Sequence, residues 1–246
     1  MTEEPYRWLE AVANRREYVR EQLKGGSPVF AAALPDGVLL LGVGSGHSKV
    51  FELFDRLALA GLGHPADIEK VRQAAIDAAH VEAFTRAPED VSLRRLISFG
   101  LSAQLKANFE QIYAAPFLVE LLLIELGIEA AGDSIFRLHF DGAYQLQTGG
   151  VGVAASQSDS EEECRAWLVR ELAGKTARGE VADLLLQAWW VLVEKRAFGE
   201  PLPPVAERHA GWRAAVAGKV IELGWLARRG PRAARYEPLT LAQVGL

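Results

Sequence analysis

The chain has 246 residues, of which 50% are hydrophobic and 24% are charged. A chain of this length and composition can bury a complete core, and we expect one large domain. The formal net charge of -5 argues against a general nucleic-acid-binding protein, which usually has a clustered basic face. Cys164 is the single cysteine, which excludes an intramolecular disulfide and a thiolate metal cluster within one chain. Because the sequence has neither a signal-peptide pattern nor a long uncharged apolar run, we expect a soluble, cytoplasmic protein without a membrane partner.

The first predicted element is a helix over residues 9–24. Its apolar residues recur at spacings of roughly three and four among charged residues, and Gly25 and Gly26 end it. Two apolar segments then flank the turn tripeptide at residues 35–37, a pattern typical of a β-hairpin.

A second strand pair is predicted over residues 49–54 and 56–63, with a tight turn at Asp55 between them. Two long helices follow in series, over residues 66–85 and 88–113, each beginning near a proline.

The chain then returns to strands. Residues 116–126 form a nearly continuous apolar run, and Asp141-Gly142 marks a hairpin in the segment after it. Two more helices are predicted over residues 158–172 and 180–195. A polar bridge over residues 199–207 and a last strand or strand pair within residues 214–229 complete the chain.

Strands and helices are thus grouped in sequence, and grouped runs favour a layered α+β fold over a parallel doubly wound fold. The arrangement that accommodates two strand groups and two helix pairs consists of two sheets packed face to face, with a helix pair outside each sheet. No internal repeat competes with this prediction.

The common catalytic motifs are absent from the sequence: there is no phosphate-binding loop, no His-Glu-x-x-His and no Gly-x-Ser-x-Gly. The segment at residues 42–47, GVGSGH, lacks the third glycine of a dinucleotide-binding fingerprint and leads into a strand. The five histidines are scattered along the chain. We therefore expect neither a cofactor nor a metal site.

Three further features have a structural and a functional interpretation. The acidic run at residues 161–163 could be a binding patch, but its place in the first turn of a predicted helix favours a solvated helix start. Trp167, Trp189 and Trp190 could line a pocket, yet their helical spacing favours a core position. We interpret Cys164 as a buried structural thiol.

Two segments resemble one known family. Residues 17–41, EYVREQLKGGSPVFAAALPDGVLLL, resemble the start of the proteasome α-subunit, where a Glu-Tyr-Ala-Arg-Glu-Ala helix precedes a Gly-Ser/Thr strand and an Asp/Asn-Gly-Val-Leu-Leu hairpin. Residues 48–63 resemble the Lys-Ile segment that leads into the first long helix of that family. The resemblance covers residues 5 to about 126 and is closest to the bacterial type. It implies the four-layer αββα sandwich of the amino-terminal-nucleophile hydrolase superfamily, with two packed antiparallel sheets flanked by helix pairs.

The resemblance also raises the question of catalysis. Ser27 falls where the catalytic β-subunit of the family has its nucleophile, and Lys49 falls at the catalytic lysine of that subunit. The third member, an acid, would fall near Val43, where there is none, and Pro28 would alter the backbone at an oxyanion site. We therefore expect no catalytic residue. The alternative is an autoprocessed serine peptidase or amidase, with Ser27 as nucleophile and Lys49 beside it.

The resemblance implies a non-catalytic subunit of a threonine-protease complex. Copies of the chain would form a heptameric ring through a domain at residues 9–246, with the helix at 9–24 on the ring surface, and β-type subunits would cleave peptides. Residues 1–8 would form a mobile gate, although the archaeal and eukaryotic Tyr-Asp-Arg gate motif is absent. The implied gate residues are Pro5, Tyr6, Arg7 and Trp8.

In that family, the residue at the position of Lys49 lines the pocket between adjacent α-subunits and pairs with the carboxy-terminal carboxylate of an activator. The implied partners are thus β-type proteasome subunits, further copies of the chain, and an ATPase or other activator. A stand-alone scaffold that shares the fold is a third alternative, because a fold does not by itself define a function.

Overall fold

The computed structural model describes residues 4–198, 202–230 and 235–246. The helices are α1 Glu4–Leu23, α2 Pro65–Thr85, α3 Leu93–Leu96, α4 Ser102–Glu110, α5 Ser158–Glu171, α6 Arg178–Val193, α7 Val205–Ala215 and α8 Leu241–Val244. The strands are β1 Val29–Leu34, β2 Gly37–Gly44, β3 Val50–Phe54, β4 Leu57–Gly63, β5 Val119–Glu125, β6 Ser134–His139, β7 Tyr144–Leu146, β8 Val151–Ala154, β9 Val220–Ala227 and β10 Tyr236–Leu239.

The strands form two five-stranded antiparallel sheets. The first sheet has the order β10-β9-β2-β1-β8 and the second has the order β3-β4-β5-β6-β7. The predicted hairpin of β1 and β2 is confirmed, with Leu34 opposite Gly37. A Cβ atom at Gly37 would lie 2.3 Å from the carbonyl oxygen of Leu226, so only glycine lets β9 approach the start of β2. The pairing of β3 with β4 is also confirmed, and Asp55 takes a positive φ in the turn.

The two sheets pack face to face through a layer that combines alanines with valine, leucine and isoleucine side chains. On β4, Ala58 and Ala60 face the first sheet, and Ala31 of β1 lies in the same layer. Leu57 and Leu59 point to the opposite face of β4, where the helices lie. This alternation follows from the period of two along a strand, which places alternate side chains between the sheets.

Helices cover the outer faces of both sheets. Leu185 and Trp189 of α6 are fully buried in the core that covers the outer face of the first sheet. Helices α5 and α7 also contribute side chains to this core. Ile68 of α2, Leu105 of α4 and Val19 of α1 are buried on the second sheet. The protein is therefore an α+β sandwich with four layers, as predicted.

The helices differ from the prediction in two places on the second sheet. Helix α1 begins at Glu4 rather than at Leu9, so the described part of residues 1–8 continues the helix. The predicted helix over residues 88–113 is interrupted, because α3 starts only at Leu93 and a π-helical turn at Ile97–Leu101 joins it to α4. The carboxylate of Glu125 on β5 accepts the Leu93 N–H at 2.9 Å, and this tertiary contact fixes the start of α3.

The prediction was wrong near the carboxy terminus. Residues 205–207 of the predicted bridge and the first residues of the predicted last strand belong to helix α7. Buried Trp212 anchors α7 to the core, and its indole N–H donates to Asp183 on α6 at 3.1 Å. Strand β10 and helix α8 were not predicted, and residues 199–201 lie outside the described part of the chain.

Candidate functional site

Ser27 and Lys49 lie together in a pocket at one end of the sandwich. Ser27 belongs to the link between α1 and β1, and Lys49 immediately precedes β3. The ammonium group of Lys49 donates to the carbonyl oxygen of Ser27 at 3.1 Å. The structure thus brings together both residues that the resemblance selected.

Two glycines of β2 make room for the Lys49 side chain. A Cβ atom at Gly42 would lie 2.9 Å from Cβ of Lys49, and one at Gly44 would lie 3.3 Å from its Cε. The backbone at this point is fixed by Glu222 of β9, whose carboxylate accepts the N–H groups of Lys49 at 2.9 Å and Val50 at 3.4 Å. The lysine is therefore held in a defined place between the sheets.

The surroundings of Lys49 perturb its protonation. Burial lowers the pKa of Lys49 to about 8, and the nearby charge of Glu222 acts in the opposite direction. At neutral pH the lysine is still mostly protonated, because its pKa lies above 7. A largely desolvated cation of this kind attracts an anion more strongly than an exposed one does.

The hydroxyl of Ser27 is held by a different residue. It accepts a hydrogen bond at 2.8 Å from the indole N–H of Trp189 on α6. Lys49 contacts the carbonyl oxygen of Ser27 rather than its hydroxyl. Val43, at the position where the resemblance would require an acid, is fully buried in the apolar core. Among the described residues, the hydrogen-bond partner of the Ser27 hydroxyl is thus an indole N–H and not a basic side chain.

Other side chains complete the pocket. Lys219, which follows α7 and precedes β9, lines it together with the indole of Trp189. The remaining lining residues are Gly25, Gly26, Val43, Gly44, Ser45, His47, Ser48, Gly63, Pro65, Ile68 and Val193. Sequence reasoning assigned Trp189 to the core, which is confirmed, but it missed the contact with Ser27 because 162 residues separate the two.

The implied gate residues lie on the first turns of α1. Arg7 and Trp8 are exposed there, whereas the side chains of Pro5 and Tyr6 lie outside the described residues. A helix of 20 residues is about 30 Å long, so the start of α1 stands well away from Ser27, which follows its other end.

Helix α1 is held along its second half by the rest of the chain. Arg15 donates to the carbonyl oxygen of Asn108 at 3.1 Å, and Arg16 forms an ion pair with Asp141 at 3.1 Å. Val19 and Leu23 are buried against the second sheet. The described side chains at residues 7–10, by contrast, are exposed.

The acidic run at residues 161–163 is only partly solvated. Glu161 is buried and accepts two hydrogen bonds from Arg137 of β6, each at 3.0 Å, while Arg137 also pairs with Glu120 of β5 at 2.5 Å. The interpretation as a solvated helix start holds for Glu162 and Glu163 and is wrong for Glu161, because the sequence does not show the buried arginine opposite it. Cys164 is buried as predicted, and burial raises the pKa of its thiol.

The part of the chain that the structure describes has no helix that is both long and apolar enough to cross a membrane. The same described residues bring together no group of His, Cys, Asp and Glu side chains that could hold a metal ion.

Comparison with known proteins finds relatives named proteasome subunit alpha. The chain is 29% identical to "Proteasome subunit alpha" of Streptomyces griseus over 149 residues, which cover 60% of this chain and 55% of the relative. It is 30% identical to the protein of the same name from Paenarthrobacter aurescens over 154 residues, which cover 59% of this chain and 63% of the relative. With the protein of the same name from Streptomyces scabiei, the identity is 26% over 181 residues, which cover 73% of this chain and 71% of the relative. No protein-family model matches the chain.

The fold is thus the α+β sandwich that the resemblance implied. By sequence, the chain is similar to bacterial proteasome α-subunits, and the resemblance to that family is confirmed. The matched region spans little more than half the length of the Streptomyces griseus relative.

Proposed function

We propose that the chain is a non-catalytic α-type subunit of a proteasome core particle. Copies of the chain form a heptameric ring, and partner β-type subunits cleave the peptides. The observation that carries this proposal is the similarity to bacterial proteins named proteasome subunit alpha. The surroundings of Ser27 support it, because the hydroxyl accepts the indole N–H of Trp189, and Val43 stands where the resemblance would require an acid.

In this proposal, residues 1–8 narrow the axial entrance of the ring. Their described part extends α1 beyond the half of the helix that is fixed by Arg15, Val19 and Leu23. The described side chains at residues 7–10 are exposed, and an exposed helix end can order and disorder at a small free-energy cost. Such an end is suited to opening and closing a pore.

Lys49 is the proposed docking residue for an activator. Its ammonium group has three donors, of which one is engaged by the Ser27 carbonyl. The other donors can bind the terminal carboxylate of an activator tail that enters the pocket. Partial desolvation strengthens such a charge-assisted bond.

The assembly is tested by producing the chain alone and together with a β-type proteasome subunit encoded in the same genome. Electron microscopy should show rings of the chain stacked on rings of the β-type subunit, and peptide hydrolysis should require both. If the two proteins never associate at any ratio, while the β-type subunit forms active particles by itself, the proposal is wrong.

A further inference from the structure

The pocket that holds Lys49 contains a second lysine and no carboxylate among its described lining residues. Lys49 and Lys219 both line it, together with neutral side chains and His47. Glu222 lies behind Lys49, where its carboxylate accepts two backbone N–H groups. An anionic ligand in this pocket would thus meet two positive charges.

Lys219 is fixed in place by two contacts. Its ammonium group donates to the carbonyl oxygen of Ala215, in the last turn of α7, at 3.2 Å. It also stands 5.7 Å from the ring centre of Trp189, whose N–H donates to the Ser27 hydroxyl. Within the described residues, no carboxylate forms an ion pair with Lys219, so its charge is available to a ligand.

The two lysines differ in depth. Lys49 is largely withdrawn from water, which lowers its pKa to about 8, whereas Lys219 is exposed. A chain end that reaches Lys49 must pass the more exposed part of the pocket. Because an extended peptide advances about 3.3–3.6 Å per residue, the last three residues of a bound chain end would span about 10 Å of the pocket outward from Lys49.

From this arrangement we infer that the pocket selects peptide carboxyl termini that carry an aspartate or glutamate within their last three residues. Lys49 binds the terminal carboxylate, and Lys219 binds the acidic side chain. This inference rests on the proposed function, because it requires a carboxyl terminus at Lys49.

The expected preference is modest. An ion pair with an exposed lysine contributes little in water, so the acidic side chain should strengthen binding by about two- to fivefold at low salt. The preference should decrease at high salt, because exposed charges are screened.

The experiment uses the full-length chain and fluorescent decapeptides of one neutral sequence. The peptides have Asp or Asn as the third residue from the end and either a free or an amidated carboxyl terminus. Anisotropy titrations are carried out with the parent chain and with the variants Lys219→Met, Lys49→Met and Lys106→Met. Lys106 is a matched control, since it is an exposed lysine on α4 that does not line the pocket.

We expect the free Asp peptide to bind the parent and Lys106→Met about two- to fivefold more tightly than the free Asn peptide. The Lys219→Met variant should bind the free Asp and free Asn peptides with equal affinity. It should still bind each free peptide more tightly than its amidated form. If Lys219→Met keeps the full preference for Asp, or if the parent shows none, the inference is wrong and Lys219 only caps α7. If amidation of the peptide does not weaken its binding to the parent chain, or weakens binding to the parent and to Lys49→Met by the same factor, the proposed docking at Lys49 is wrong instead.

Discussion

Lys49 is held between Gly42, Gly44 and Ser27, at a position where a positive charge is only partly hydrated. Replacement by alanine removes the cation that we propose for binding an activator tail. Because a bond to a charged group is worth about 1.5–3 kcal/mol, Lys49→Ala should weaken binding of a free carboxyl-terminal peptide about 10- to 100-fold. Lys49→Arg should retain part of the binding, because it keeps the charge.

Equilibrium titration of the assembled ring with a tail peptide and with its amidated form measures this effect. Electron microscopy shows that the ring is still present in each variant. Equal affinity of the parent and Lys49→Ala at matched salt would identify Lys49 as a strand-end charge without a role in docking.

The same residue makes stability depend on pH. Burial lowers the pKa of Lys49 from 10.5 to about 8, so between these values the unfolded chain binds more protons than the folded chain. The cost of burying the charge is therefore complete below about pH 8 and disappears as the pH rises to 10.5. Lys49→Met should stabilise the fold by about 2 kcal/mol at neutral pH, after allowance for the lost hydrogen bond, and the gain should shrink in alkaline solution.

Urea unfolding of the parent and Lys49→Met across this pH range measures the difference in the free energy of unfolding. A difference that stays constant from neutral to alkaline pH would show that the ammonium group is as well hydrated in the folded chain as in the unfolded chain.

At the scale of single elements, α1 has two halves with different roles. Arg15, Val19 and Leu23 hold its second half to the domain, and the described part of residues 1–8 precedes these contacts. Deletion of residues 1–8 should therefore leave the fold and the ring intact and speed peptide hydrolysis by the assembled particle. The measurement compares hydrolysis of short and long peptides by particles with the full-length and the shortened chain, and unchanged rates for both lengths would contradict the gate.

Helix α5 is joined to β6 by a buried ion pair. Arg137 is 1% exposed and binds Glu161 and Glu120, so Arg137→Met removes the cation that these two buried carboxylates share. Glu120 keeps its contact with His139, and Glu161 keeps the N–H of Ala155. We expect a loss of about 3–5 kcal/mol in the free energy of unfolding. Arg165→Met on α5 is a suitable control, because the pair of Arg165 with exposed Glu162 should contribute less than about 1 kcal/mol.

Denaturant unfolding of the two variants tests this difference. An Arg137→Met protein that is as stable as the Arg165→Met control would mean that water reaches the carboxylates and replaces the arginine.

The sequence predicted the elements whose signals are local. The turn at residues 35–37 and the one at Asp55 are visible in the local sequence, and both hairpins are present. The start of α3 depends instead on Glu125, and α7 depends on the contact of Trp212 with Asp183. These contacts join residues far apart in sequence, so the interruption before α3 and the existence of α7 were missed.

In the candidate site, too, the sequence revealed only part of what the fold brings together. Ser27 and Lys49 were found through the resemblance, because both lie in the segments that carry it. Trp189 and Glu222 could not be found in this way, since they lie 162 residues from Ser27 and 173 residues from Lys49, respectively. Only the folded sandwich brings them to the pocket.

At the scale of the whole molecule, the two ends of the sandwich are built differently. At the end where β1 finishes, Arg228 and Asp133 form a buried pair, with two contacts of 2.7 Å, that joins the two sheets. At the other end, where β1 begins, the sheets are joined through Lys49 and Glu222, and the pocket is open. At the end with the pocket, the backbone around Lys49 is therefore fixed, and a ligand can still enter.

The link between α1 and β1 at the open end decides between an inert subunit and a self-processed hydrolase. A hydrolase of that kind must break the bond between Gly26 and Ser27, so that the freed amine can activate the hydroxyl. Here the Gly26 N–H is bonded to the Leu23 carbonyl oxygen at 2.8 Å, and the Ser27 hydroxyl accepts the N–H of Trp189. Both bonds hold the link in a conformation that continues from α1 into β1.

We therefore expect the purified chain to remain whole. Intact-mass measurement, on the chain alone and after assembly with a β-type subunit, should give one species that retains residues 1–26. Ser27→Ala should leave peptide hydrolysis by the assembled particle unchanged, because we propose that the β-type subunit supplies the nucleophile. A mature chain that begins at Ser27, together with activity that disappears in Ser27→Ala, would instead establish the chain as a serine hydrolase in which Lys49 assists the reaction.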